Sequence, residues 1–348
     1  MSIILSKSPY VVEITDANLE GGVVQIFLWE PGTSTPALPQ YTLSKLTPAS
    51  NVNSVFFDIS PYINEFITNK SYTPNVFVND VDLPVENYCN VYLYLYKLVG
   101  GVYTLTTSSG YYAFKGYLEQ KTALNPITTN FLLEPKSYNY LYNLSIPYGG
   151  SPGDIVCYMF SSYIVKYTDL KTGLTNSYSV LTNGFKKIFK VYVNYMANGN
   201  KLEIISGATA LATYYFRPIE ECRYTPVTLD FINKYGVWQR EYLFKNSTDS
   251  INVESQSYKN YRAIPNVLNV QESLVTTFNT NGNESIKCNT GFVDEDFKDT
   301  IKQLLLSDRI LINNRPATIT TKQVDLQKNI NNKLINYALD FNFSNPLI

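Results

Sequence analysis

The sequence predicts a mainly β protein, and three observations carry that prediction. Tyrosine and phenylalanine are plentiful, 30 and 18 of 348 residues, beside many Val, Ile and Thr, the types that fit a pleated, half-buried surface. Short apolar runs alternate with polar or aromatic residues at a period of two, as strands do. Gly, Pro and Asn punctuate those runs at the close intervals that turns need.

The first clear strand is Val23-Val24-Gln25-Ile26-Phe27-Leu28-Trp29, ended by Glu30-Pro31-Gly32. Ser60-Pro61 opens a short helix through Ile67, with Ser60 as N-cap and Pro61 at the first helical position. Ile59, Ile63, Phe66 and Ile67 would face inward. Val91-Tyr92-Leu93-Tyr94-Leu95-Tyr96 alternates aliphatic and aromatic, so each face has its own chemistry. Gly100-Gly101 follows, then Val102-Tyr103-Thr104-Leu105-Thr106, which together predict a hairpin. Residues 1–120 therefore form a first β-sandwich module of Ig or FnIII style with one helical insertion.

Residues 121–220 repeat the strand-and-turn pattern as a second sandwich module. Tyr148-Gly149-Gly150-Ser151-Pro152-Gly153 is a loop, while Tyr163–Tyr167 and Phe189–Tyr195 are strands. Asn198-Gly199 turns the chain into Lys201–Ile205. From 221 to 348 the pattern changes to an α+β split barrel or sheet. Val227–Ile232 leads through Asn233-Lys234-Tyr235-Gly236 into Val237–Phe244, a hairpin whose type I turn places Gly236 in the left-handed region and makes a bulge. A helix over Asp294–Leu306 puts Val293, Phe297, Ile301, Leu304 and Leu305 on one face, with Asp294, Glu295 and Asp296 in its first turn. Ile335–Phe343 alternates as a long closing strand.

Composition narrows the chemistry. The chain has no histidine, which removes Ser-His-Asp and Cys-His catalysis and every His-containing zinc site. Carboxylate, Lys and Tyr chemistries survive. Cys89, Cys157, Cys222 and Cys288 stand singly, without the close pairs of a zinc ribbon, and are expected as buried free thiols. Gly149–Gly153 lacks the Lys-Ser or Lys-Thr of a phosphate loop. Glu220-Glu221 point to opposite sides of an extended chain, and Asp294-Glu295-Asp296 sit in no calcium-loop pattern. No catalytic residue, metal or cofactor is expected. The net charge of −1 supplies no basic excess for nucleic acid, and Lys186, Lys187 and Lys190 suit a solvated strand face. Neither a signal peptide nor a membrane span is expected, so the chain is expected to be made in a reducing cytoplasm. With charged residues at only 16%, well under the roughly 25% of ordinary soluble domains, the surface suits lasting contact with other chains. Trp29 and Trp238 would anchor a core or an interface.

The stretch Glu221–Gln239, which holds Thr225-Pro226-Val227-Thr228-Leu229-Asp230-Phe231, resembles a segment of virion structural proteins from tailed bacteriophages of Bacteroidetes hosts. Asn289-Thr290-Gly291-Phe292-Val293 with the helix to Ser307, Arg315-Pro316-Ala317-Thr318-Ile319, Ser8-Pro9-Tyr10 and Asp58–Ile63 are similar to the same group. The resemblance implies a tail-tip or baseplate component whose C-terminal module is tail-tube-like and joins copies into a ring by sheet edges. The hairpin around Asn233, Gly236 and Trp238, and the helix bearing Phe297, Ile301 and Leu305, would then form the ring module. Other tail proteins would be its neighbours and the virion its location. A polysaccharide-binding module using exposed Tyr and Trp, and a two-carboxylate glycan hydrolase, are the alternatives.

Overall fold

The computed structural model describes residues 2–47, 53–67, 82–83, 88–119, 125–127, 137–141, 155–159, 163–180, 187–191, 198–219, 223–259, 275–326 and 335–347. Strand makes up 59% of the described residues, which hold two helices, so the expected mainly β class holds. The chain groups into two compact units: Met1–Glu220 with Ile232–Glu241, and Glu221–Phe231 with Tyr242–Ile348.

Unit 1 begins with β1 (Ile3–Leu5), β2 (Val11–Thr15), β3 (Gly21–Trp29), β4 (Tyr41–Leu46), β5 (Ser54–Asp58), α1 (Ser60–Phe66), β6 (Asp82–Leu83), β7 (Tyr88–Val99) and β8 (Val102–Phe114). It continues with β9 (Ser137–Leu141), β10 (Ile155–Met159), β11 (Tyr163–Asp169), β12 (Thr175–Val180), β13 (Lys187–Val191), β14 (Asn200–Ser206) and β15 (Thr209–Ile219). The sheets run β1-β8-β7-β3-β4, β2-β5, β10-β13-β6 and β12-β11-β14-β15-β9.

The first sheet buries one face. Val24, Ile26 and Leu28 of β3 and Val91, Leu93 and Leu95 of β7 share a core with β2, β5 and Ile63 and Ile67 of α1. The alternate β7 residues Tyr92, Tyr94 and Tyr96 line the opposite face, where Phe27 meets Tyr94 edge-on at 5.3 Å between ring centres. The predicted hairpin is present: Gly100 and Gly101 have φ of 59° and 71°, the left-handed pair that a two-residue turn requires. Glu20 locks that turn, its carboxylate accepting the Gly100 and Gly101 N–H groups at 3.0 and 2.9 Å.

The start of α1 differs from expectation. Ser60 is its first residue and Ile59 occupies the cap, making no side-chain cap bond. Asp58 takes the role instead, accepting from the Ser60 N–H at 3.0 Å, the Ser60 hydroxyl at 2.6 Å and the Tyr10 N–H at 3.2 Å. A carboxylate just upstream meets all three donors at once, which a serine hydroxyl cannot do.

A second small core joins Ile3, Leu5, Phe114, Ile127 and Val237. β1 is thus buried on both faces, because Ile4 between them enters the first core. Asn125 pins this strand, accepting the Leu5 N–H at 3.0 Å and donating to the Leu5 and Ser8 carbonyls at 3.0 Å each.

β11, β14 and β15 bury Val165, Tyr167, Leu202, Ile204, Tyr214 and Phe216, and Gly199 turns the chain at a φ of 79°. Of the expected strand Phe189–Tyr195, β13 holds the first part and the rest lies outside the described residues, as do the loop Tyr148–Gly153, Lys186, Glu220, Glu221 and Cys222.

Seven further strands form one sheet: β16 (Val227–Ile232), β17 (Trp238–Leu243), β18 (Thr248–Lys259), β19 (Val275–Asn289), β20 (Ile310–Ile312), β21 (Arg315–Ile319) and β22 (Ala338–Phe343), in the order β17-β16-β20-β21-β22-β19-β18. In unit 2, α2 (Phe297–Leu305) shares a core with this sheet through Ile301 and Leu304, which meet Leu229, Ile312, Leu339 and Phe341.

Two boundaries in unit 2 shift from expectation. Asp294, Glu295 and Asp296 precede α2 instead of forming its first turn. Tight turns lead into it, with the Phe297 N–H donating to the Asp294 carbonyl at 3.0 Å and the Lys298 N–H to Glu295 at 3.2 Å. The acids keep the position near the helix start that the dipole favours. The closing strand begins at Ala338; Ile335 makes an isolated bridge to Val293.

Candidate assembly surfaces

The hairpin at Asn233 is built as its sequence dictates. The Asn233 N–H donates to the Val237 carbonyl and the Gly236 N–H to the Asn233 carbonyl, each at 2.9 Å. The Asn233 side-chain oxygen accepts the Tyr235 and Val237 N–H groups at 3.0 and 3.3 Å, the Asx pattern that makes asparagine a turn residue. Gly236 has a φ of 83°. Its α-carbon also lies so near Lys115 and Gly116 that a side chain would touch their backbone at 2.8–2.9 Å.

All six residues singled out for assembly lie at the interior or against it. Asn233 and Trp238 are buried and Gly236 is pressed on the 115–116 backbone. Ile301 is fully buried, while Phe297 and Leu305 pack on the same core, half-exposed. The structure groups them as two separate sets, the 233–238 turn in unit 1 and α2 in unit 2. They shape the elements that carry surfaces and leave the surfaces to other residues.

Two exposed surfaces lie on strand edges. β8 is exposed from Val102 through Ser108, with Val102, Tyr103 and Leu105 at least half exposed. β1 covers β8 over Tyr112–Phe114, and among the described residues no strand covers the outer side of Val102–Tyr111. In unit 2, every residue of β18 is exposed, and among the described residues it ends its sheet. β22 pairs with β19 only over Ser285–Asn289. The distal parts of β18 and β19 therefore make a two-stranded ribbon with Ile251, Val253, Tyr258, Val275 and Phe278 exposed. Neither edge stood out in the apolar pattern. The available signals were a run without charge from Val102 to Phe114 and the brief Ile251, Val253 alternation.

The ionisable groups are quiet. Cys89 and Cys288 are free and buried, and burial pushes both thiols up to about 12, which keeps them unreactive. Cys157 and Cys222 lie where no side chain is described. Glu241 is buried beside Gln239, whose Nε2 donates to its Oε1 at 2.8 Å. Burial pushes its carboxyl up to about 8. Among the described residues no three of Cys, Asp and Glu converge as a metal site, and no helix is long and apolar enough to cross a membrane. Comparison with family models, with curated proteins and with solved structures gives no match.

Proposed function

We propose that this chain is a non-catalytic structural subunit of a tailed-phage virion, a tail-tip or baseplate component that assembles with copies of itself in a ring and with other tail proteins. The observation that carries this reading is β8. It runs thirteen residues without one charged residue or proline, and among the described residues no strand covers its outer edge over Val102–Tyr111. Natural proteins guard free edges with charge, proline or cover, and an edge left unguarded over this length belongs in an assembly that pairs it. The low overall charge and the quoted resemblance point the same way. On this reading the sheets of unit 1 act as two sandwich-like modules and the β16–β22 sheet with α2 as a split-barrel, tail-tube-like module. The chain is made in the host cytoplasm and carried in the particle. Imaging purified virions that bear a tagged copy tests it: ring density at the tail end supports the reading, and virions that lack the chain overturn it.

A second reading, recognition of host-surface polysaccharide, is favoured by the row of half-buried Tyr92, Tyr94 and Tyr96 on one face of β7. Polysaccharide binding lost on Tyr94→Ala with unchanged melting would support it.

A further inference from the structure

We infer that β18 is a self-recognition edge, on which a second copy of this chain pairs its own β18 antiparallel across a two-fold axis, with Asp249 of each copy opposite Lys259 of the other. The inference goes beyond the structural-subunit reading and does not depend on it.

Three charges mark this strand. Asp249, Glu254 and Lys259 are exposed on the terminal strand of the sheet, and none is tied into an ion pair among the described residues. Charges on an edge repel unselected strands, and they also select the strand whose charges oppose them. β18 is continuous along its length; the irregularity in its pairing with β19 falls on the β19 side, where Phe278 is skipped between Asn279 and Thr277. Side chains therefore alternate strictly, and Asp249, Ile251, Val253, Ser255, Ser257 and Lys259 share one face.

Symmetry then fixes the register. A two-fold axis perpendicular to the sheet makes the edge strands antiparallel and keeps each face on its own side, so odd positions can oppose only odd ones. Under that condition one register alone places opposite charges together, Asp249 with Lys259, and it does so twice. It also engages the strand nearly end to end, from Asp249 to Lys259. Ile251 and Val253 then face Ser257 and Ser255 of the partner on the same side. Glu254 falls on the axis, facing its own copy from the other side of the sheet. That single like-charge pair weakens a contact that the two end pairs specify.

The contact is tested by sedimentation of the full chain and its variants at neutral pH. The parent sequence should dimerise reversibly. Asp249→Lys should weaken the dimer about tenfold by setting Lys against Lys at both ends, and adding Lys259→Asp should restore it. Glu254→Gln should tighten it about fivefold by removing the pair on the axis. Melting temperatures measured at concentrations where the chains are monomeric should stay level, since these side chains are exposed in the single chain. A parent that stays monomeric at high micromolar concentration, a double exchange that fails to restore the dimer, or a Glu254→Gln variant that binds no tighter overturns the inference. A monomeric parent that is still found in virions removes this contact and leaves the structural reading standing.

Discussion

The surroundings of Glu241 change its chemistry. Its carboxyl is shut away from water, and burial outweighs the hydrogen bond from Gln239, which acts in the opposite direction. The folded chain therefore keeps a proton that the unfolded chain releases near the ordinary glutamate value of 4.5. Its contribution to stability is full below that value and falls as pH rises toward about 8, at a rate of up to about 1.4 kcal/mol per pH unit. Melting curves between pH 5 and 8 should show this decline, and Glu241→Gln, which stays neutral, should flatten it. Equal slopes in both proteins would mean that Glu241 is not the group responsible.

At the scale of elements, the 233–236 turn shows two glycines used for different ends in one contact. A side chain at Gly116 would run into the Lys234 carbonyl and the Tyr235 backbone, and the Tyr117 N–H donates to that same Lys234 carbonyl at 2.7 Å. Gly236 adds its left-handed φ to a similarly close approach. Gly116→Ala and Gly236→Ala should each cost about 2 kcal/mol or more in chemical denaturation. Gly173→Ala, at a φ of 70° with open space around it, should cost only about 1 kcal/mol. Equal losses at Gly173 and Gly236 would show that the close approach contributes nothing. The turn itself was legible, since Asn233 and Gly236 fit a single local geometry. That Val237 beside it packs with Ile3, Leu5 and Phe114 was not, because local periodicity carries no information about partners more than a hundred residues away. The β7–β8 hairpin and the inward face of α2 were equally local and equally legible. The cap of α1 was misplaced because Asp58 and Ser60 both suit such a site, and only the position of the Tyr10 N–H decides between them. β18 escaped notice because both its faces meet solvent, so no apolar period marks it.

For the molecule as a whole, burial and openness are divided sharply. Apolar residues close cores within each unit, while among the described residues the long strands β8 and β18 stay open along an edge. If β8 serves assembly, Thr106→Lys should suppress higher-order association of the full chain in light scattering while leaving its melting temperature unchanged, since Thr106 is exposed. Unaltered association would exclude this edge. The strand order carries a last consequence, for synthesis. β1 finds its strand partner at Tyr112–Phe114, and β22 lies between β21 and β19, both of which leave the ribosome before it. Each sheet therefore waits on a late segment to fill a place among strands already made. A ribosome that stalls before residue 338 releases a chain whose β19 and β21 are unjoined, with two raw sheet borders left unpaired. Truncated products should thus be the form of this protein that chaperones hold and proteases clear.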